Sequence, residues 1–227
     1  MPDPLAPATG WGVLHLFCKA RPDADTEAVL TAVKAARGEE HQVVAFSVLG
    51  HKADLGFLAL GPDLWRLRAL QSGIQAAGLE VVSSYVSLTE VSEYAKGMPA
   101  ETLNPRLHPQ LPPEGMRAIC FYPMSKRRDP GQNWYELAYE ERERLMYGHG
   151  KSGRAFRGRV LQVVTGSTGL DDFEWGVTLF AVAPDDLKEV VYTMRFDEAS
   201  ARYAEFGPFF TGMVAEVDDV LRGAGLS

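Results

Sequence analysis

The chain repeats one rhythm of apolar and polar positions. Gly12 to Lys19 concentrates apolar residues like a buried strand. Asp23 to Ala36 then sets Ala28, Val29, Ala32, Val33 and Ala36 at helical spacing, with Asp23 or Asp25 as N-cap and Gly38 just past the end. Gln42 to Leu49 and Asp54 to Leu60 read as strands around a turn at Gly50. Pro62 opens a helix to about Ala77, and Leu79 to Thr89 is strand again. The order is β-α-β-β-α-β, a ferredoxin-like unit.

A second copy follows. Met116 to Tyr122 is a strand, and Trp134 to Tyr147 has a helical pattern with acidic residues early and basic ones late. Arg159 to Thr165 and Glu174 to Ala183 are strands, Asp185 to Thr193 is helical, and a short helix covers Ala199 to Tyr203. The last strand lies in Phe206 to Val217. The halves share local wording. ADLGFLALGPDLW from Ala53 resembles FEWGVTLFAVAPDDL from Phe173, with a glycine early in the strand and Pro-Asp opening the helix. The expected fold is α+β: two duplicated ferredoxin-like units forming a dimeric α+β barrel within one chain, which hides the edges that each sheet alone would expose. Residues 1–10, rich in Pro, Ala and Gly, form a loose arm. Residues 11–94 and 116–227 are the two halves, and 95–115 is a long surface connection rich in Pro, Leu and charge.

Composition narrows the function classes. With 46% hydrophobic and 23% charged residues, the 227-residue chain reads as an ordinary soluble globular protein. A formal charge of -7 argues against general binding to nucleic acid or an anionic membrane. An anionic ligand therefore needs positive charge concentrated locally. Cys18 and Cys120 sit in apolar runs without a partner at metal-ligand spacing, which suits buried free thiols in a reducing compartment. The start, MPDPLAPATG, has no basic segment followed by an apolar one, and no apolar run approaches the roughly 20 residues that cross a bilayer, so a cytoplasmic location is expected.

The candidate chemistry clusters between Cys120 and Gly150. Tyr122 ends a strand in FYPMSKRR, where a tyrosine is ordinarily a packing residue with its hydroxyl at the rim. Lys126, Arg127 and Arg128 follow, a run that ordinarily reads as a solvated cluster. His149 ends the helical pattern before Gly150, where the helix dipole favours a histidine; a neutral imidazole there is also an ordinary axial ligand for haem iron. Arg195 and Ser200 fall in MRFDEASARYAEFG, where an Arg195–Asp197 surface pair is the plain alternative. Gln162 lies in the strand GRVLQVVTGS, where an inward polar group needs a partner. TGSTG at Thr165 to Gly169 joins two strands and reads as a hairpin, not a phosphate loop.

Together, YPMSK, the segment ERERLMYGHGKSGR and MRFDEASARYAEFG resemble the coproheme decarboxylases of the chlorite dismutase-like superfamily, in the form seen in actinobacteria. The resemblance is strong from Met116 to Val214 and mainly architectural before that. It implies a protein that uses hydrogen peroxide to convert iron coproporphyrin III (coproheme) to haem b, turning two propionates into vinyls through a monopropionyl intermediate. Iron coproporphyrin III would be substrate and redox cofactor at once. The resemblance casts His149 as the iron ligand, with a glutamate from elsewhere as its partner, and Tyr122 as a radical relay. Lys126, Arg195 and Ser200 become propionate contacts, and Met124 and Gln162 complete the distal side. His108 is the local candidate for a distal base or propionate contact. The resemblance also implies a homopentamer, with ferrochelatase upstream in the pathway. Chlorite dismutases carry an arginine where Gln162 falls, which counts against chlorite as substrate. A peroxidase, or a haem-binding carrier or sensor on the same scaffold, is the alternative; a carrier has no need of the Tyr122 phenol.

Overall fold

The structure, a computed structural model, describes residues 2–95 and 97–226. Its first half runs β1 (Gly12–Lys19), α1 (Thr26–Ala36), β2 (Gln42–Val48), β3 (Leu55–Gly61), α2 (Leu64–Ala76) and β4 (Glu80–Thr89). The connection carries a short helix, α3 (Ala100–Leu107). The second half opens with β5 (Ala118–Lys126), the hairpin of β6 (Arg128–Asp129) and β7 (Gln132–Asn133), and α4 (Tyr139–Arg154). It continues through β8 (Val160–Gly166), β9 (Trp175–Ala181), α5 (Pro184–Met194), α6 (Glu198–Tyr203), β10 (Ala204–Phe206), β11 (Phe210–Val214) and α7 (Val217–Gly223).

The expected duplication is visible in the strand order. The first half reads β2-β3-β1-β4, and the second reads β8-β9-β5 with β11 and β10 end to end along the next edge of β5. β4 joins β8 at one seam and β11 joins β2 at the other, so all strands of the large sheet except β10 close a ring. Closure removes the unpaired edges that two separate sheets would present. At the second seam the backbones come so close that a Cβ on Gly212 would collide with the Ser47 carbonyl oxygen. The repeated strand glycines have a shared reason. A Cβ on Gly56 would strike the Phe46 ring, and one on Gly176 would lie 2.9 Å from the Tyr85 ring. In each half a missing side chain makes room for an aromatic of another strand, the next one for Gly56 and the second along for Gly176.

Alternation along the strands divides the apolar residues into layers. Phe17, Phe46, Leu58, Phe121, Phe180 and Phe210 fill the barrel. Outside it, α1, α2 and α7 cover the first half through Val29, Leu70, Ile74 and Val220. On the second half Ala118, Cys120 and Tyr122 face outward with Val177 and Leu179, under Leu187, Val190 and Met194 of α5. Each fully buried large side chain is worth about 1.5–3 kcal/mol in this arrangement. Both cysteines are buried free thiols, as expected. Among the described residues, no helix is long and apolar enough to cross a membrane.

Several element bounds differ from the sequence reading. Trp134–Glu136 is a single tight turn capped by the Asn133 side chain, and the helix proper runs from Tyr139 to Arg154. His149 therefore lies within α4 instead of at its end. Gly148, Gly150 and Gly153 each weaken a helix by about 1 kcal/mol relative to alanine, which argued for a stop there. Packing of α4 on α6 and α5 overrides that preference. The last expected strand is split into β10 and β11 around Gly207-Pro208, since proline cannot donate to the ladder, and Val217 begins a helix instead of ending a strand. α3 was hidden by Pro105, which lies inside it.

Candidate functional site

The outer face of β5 carries Tyr122, Met124 and Lys126 at alternate positions. Register sets Tyr122 opposite Val177 of β9 and, one strand further, Val164 of β8. Gln162 is opposite Leu179, itself opposite Cys120, so Gln162 shares the face of Tyr122. It is exposed there, not turned into the barrel. The Tyr122 ring is buried and stacks on Phe209 with centroids 4.5 Å apart, while Phe206 lies at 5.7 Å. Burial pushes the phenol well above its usual pKa, reinforced by Cys120 and opposed by Arg195. At neutral pH Tyr122 is therefore a neutral phenol.

Lys126 is the inward member of the basic run and Arg128 the outward one. The Lys126 side chain is buried, with Nζ 4.3 Å from the Trp134 ring centroid, and Trp134 in turn meets Tyr203 edge-on at 5.4 Å. The Lys126 backbone N–H donates to Glu174 Oε2 at 2.7 Å. Desolvation lowers the ammonium pKa to about 8, while Asp197 and Glu174 pull it back up. Burial is the larger effect, so the cation is held in a place that disfavours charge. Arg127 sits between these two, with Nη1 donating to Gln132 Oε1 at 3.0 Å.

His149 projects from α4 toward α6. Its Nδ1 lies 3.1 Å from Asp197 Oδ2 and 3.4 Å from Ser200 Oγ. Asp197 caps α6 by accepting from the Ser200 backbone N–H through Oδ1 at 3.1 Å. One carboxylate thus starts a helix and orients an imidazole. Burial works against the Asp197 charge, but the bonds from His149 and Ser200 hold its pKa below the usual value. A carboxylate facing Nδ1 puts the proton on that nitrogen and leaves the Nε2 lone pair for a metal. The partner is thus an aspartate, not a glutamate. The surface pair between Arg195 and Asp197 does not form: the Asp197 side chain is 5% exposed against His149, and the Arg195 guanidinium lies over the Phe206 ring at 4.5 Å.

Tyr122 thus packs under α5 within electrostatic reach of the exposed Arg195, while Lys126, further along the same strand face beyond Met124, is within reach of Asp197, which holds His149 and Ser200. His108 ends α3, where its Nδ1 pairs with Asn104 Oδ1 at 2.9 Å and its ring meets Trp11 at 5.0 Å. Among the described residues, no three His, Cys, Asp or Glu side chains are grouped to hold a metal ion. One oriented imidazole fits an iron whose remaining ligands come largely from a macrocycle. Sequence reasoning missed Asp197, Trp134, Phe206 and Phe209. Asp197 was detectable as the acidic residue three before Ser200, the spacing of an N-cap.

The family model described as chlorite dismutase matches residues 23–215. A coproheme decarboxylase of Staphylococcus carnosus is 40% identical over 232 residues, 90% of this chain and 92% of that protein. A protein of Natronomonas pharaonis named for heme binding is 40% identical over 254 residues, covering 97% of this chain; the chain spans 42% of that longer protein. A solved structure described as a novel heme-binding protein from Thermus thermophilus superposes with a TM-score of 0.83 at 39% identity, covering 100% of this chain and 99% of the other. With the barrel, the outward tyrosine and the oriented histidine in place, the chain belongs to the chlorite dismutase family.

Proposed function

We propose that the protein is a peroxide-dependent coproheme decarboxylase. Each turn converts one propionate arm, one hydrogen peroxide and one proton into a vinyl arm, carbon dioxide and two waters, so two turns on the same iron coproporphyrin III give haem b by way of a monopropionyl intermediate. The observation that carries this reading is a buried neutral phenol on the same strand face as a desolvated lysine, whose charge interacts with the carboxylate that orients the imidazole. Relatives named coproheme decarboxylase, matched over nearly the whole chain, support it.

His149 would hold the iron through Nε2, and Asp197 keeps the imidazole turned and electron-rich. Bound iron coproporphyrin supplies the redox centre that peroxide oxidises. Tyr122 gives up a proton and an electron together, because its buried phenol does not ionise first. The phenoxyl radical takes a hydrogen atom from the propionate carbon β to the carboxylate. Loss of carbon dioxide and of the arm's remaining electron, which the peroxide-oxidised pigment would take up, would leave the vinyl group. Lys126, Arg195 and Ser200 hold carboxylates so that the reacting carbon meets the phenol; buried or aromatic-backed cations make such pairs strong. Met124 and Gln162 border the distal face, and His108 is the candidate base or carboxylate contact from α3. A homopentamer, with ferrochelatase as the upstream supplier, belongs to the same reading.

Titrating peroxide into the protein mixed with iron coproporphyrin III, with mass readout of the pigment, tests the proposal. Two successive losses of one carboxyl arm are expected. Bleaching, or oxidation of added dyes with all four arms intact, would contradict it and favour a peroxidase.

A further inference from the structure

Beside Tyr122 lies a cleft of about 620 Å³ whose walls include Arg127, Arg195, Phe206 and Phe209. It shares its two phenylalanines with the tyrosine, which stacks on Phe209 and lies against Phe206. Two guanidinium groups therefore border the space next to the reactive phenol. They differ in how they are held. Arg195 spreads over the Phe206 ring. Arg127 is anchored through Nη1 to Gln132, while its Nε is buried and has no hydrogen-bond partner among the described residues. Arginine presents donors in a planar fork that matches a carboxylate, so two guanidinium groups on the wall of one cleft make an anion clamp. Among the described residues the one carboxylate on the cleft wall, Glu205, belongs to an exposed residue and is open to solvent screening.

We infer that Arg127 binds the carboxylate of a propionate arm that is later removed, and so distinguishes the four-armed substrate from the two-armed product. The inference rests on the decarboxylase reading and adds a residue to it. Position decides which arm is meant: a carboxylate reaching this cleft belongs to an arm that passes the Tyr122 ring. Once that arm has become a vinyl group the Arg127 contact has no acceptor, and the apolar vinyl meets the phenylalanine faces instead. Product is then held less tightly than substrate at this end of the site, which favours its departure.

The test is binding, without peroxide, of iron coproporphyrin III and of haem b to wild-type protein, Arg127→Met and Arg127→Lys, followed by Soret absorbance. Arg127→Met is expected to weaken iron coproporphyrin binding by about 10- to 100-fold and haem b binding by less than about threefold. Arg127→Lys, which keeps the charge but not the planar fork, should fall between. Far-UV circular dichroism identifies a variant that has not folded, and the lysine variant then carries the comparison. Equal weakening of both pigments, or no change in either, overturns the role of Arg127 while leaving the decarboxylase reading standing. Failure of wild-type protein to bind iron coproporphyrin overturns that reading itself.

Discussion

Asp197 Oδ2 lies 3.1 Å from His149 Nδ1, and the same side chain caps the helix that presents Ser200. The pair joins two elements, α4 and the α5–α6 turn, that would otherwise be free to set the imidazole at different angles. Removing the charge while keeping the cap separates the two duties. In Asp197→Asn, α6 should remain capped and the thermal midpoint should hardly move. The iron–histidine stretching frequency of the ferrous porphyrin complex should fall, and iron porphyrin affinity should drop by about 10- to 100-fold. Unchanged resonance Raman spectra would assign Asp197 to the helix cap alone.

Lys126 makes binding depend on pH. In the free protein its ammonium loses its proton near pH 8, because burial outweighs Asp197 and Glu174. A bound carboxylate restores the charged form, so binding takes up a proton above that pH. Affinity for iron coproporphyrin should therefore decline by about tenfold between pH 7 and 9. Lys126→Met should bind more weakly at pH 7 and show a flatter profile. Parallel titrations of the two proteins across this range check the slope.

The barrel interior has its own pH dependence. His15 is fully buried against Phe121, with Nε2 2.9 Å from Thr178 Oγ1 and Nδ1 unpartnered among the described residues. Burial drives its pKa down to about 3. The unfolded chain binds the proton near pH 6.5, and the folded chain does so only near 3, so the unfolded state holds more protons between those values. Stability is full above about pH 6.5 and lost as pH falls toward about 3, by on the order of 5 kcal/mol. Denaturant unfolding from pH 7.5 to 4.5 should show this loss. His15→Leu should cost about 1–2 kcal/mol at pH 7.5, by orphaning Thr178, and should flatten the acid slope by about one proton.

Much of the scaffold was readable because it rests on short-range pattern. Apolar runs in β1 and β5, helical spacing in α1 and the paired glycines Gly56 and Gly176 each report a local requirement, and all agree with the observed barrel. Tyr122, Lys126 and His149 were legible through their motifs. What escaped depends on contacts distant in sequence. α4 passes three glycines because α5 and α6 support it, and Asp197 reaches His149 from 48 residues away. The pattern of β8 does not say which side of the sheet is open, so sequence alone does not place Gln162 on the solvent side. Arg127 resembles its neighbour Arg128 in sequence, and only the fold separates a buried donor from a solvated one.

The most direct measurement counts carbon dioxide released per bound iron coproporphyrin after peroxide is added to wild-type protein and to Tyr122→Phe. Two molecules are expected from the wild type. The phenylalanine variant should bind the pigment within about threefold of wild type, since only a hydroxyl is lost, and release at least about 100-fold more slowly. Release by Tyr122→Phe at the wild-type rate, or none from wild-type protein with the pigment bound, would contradict the account.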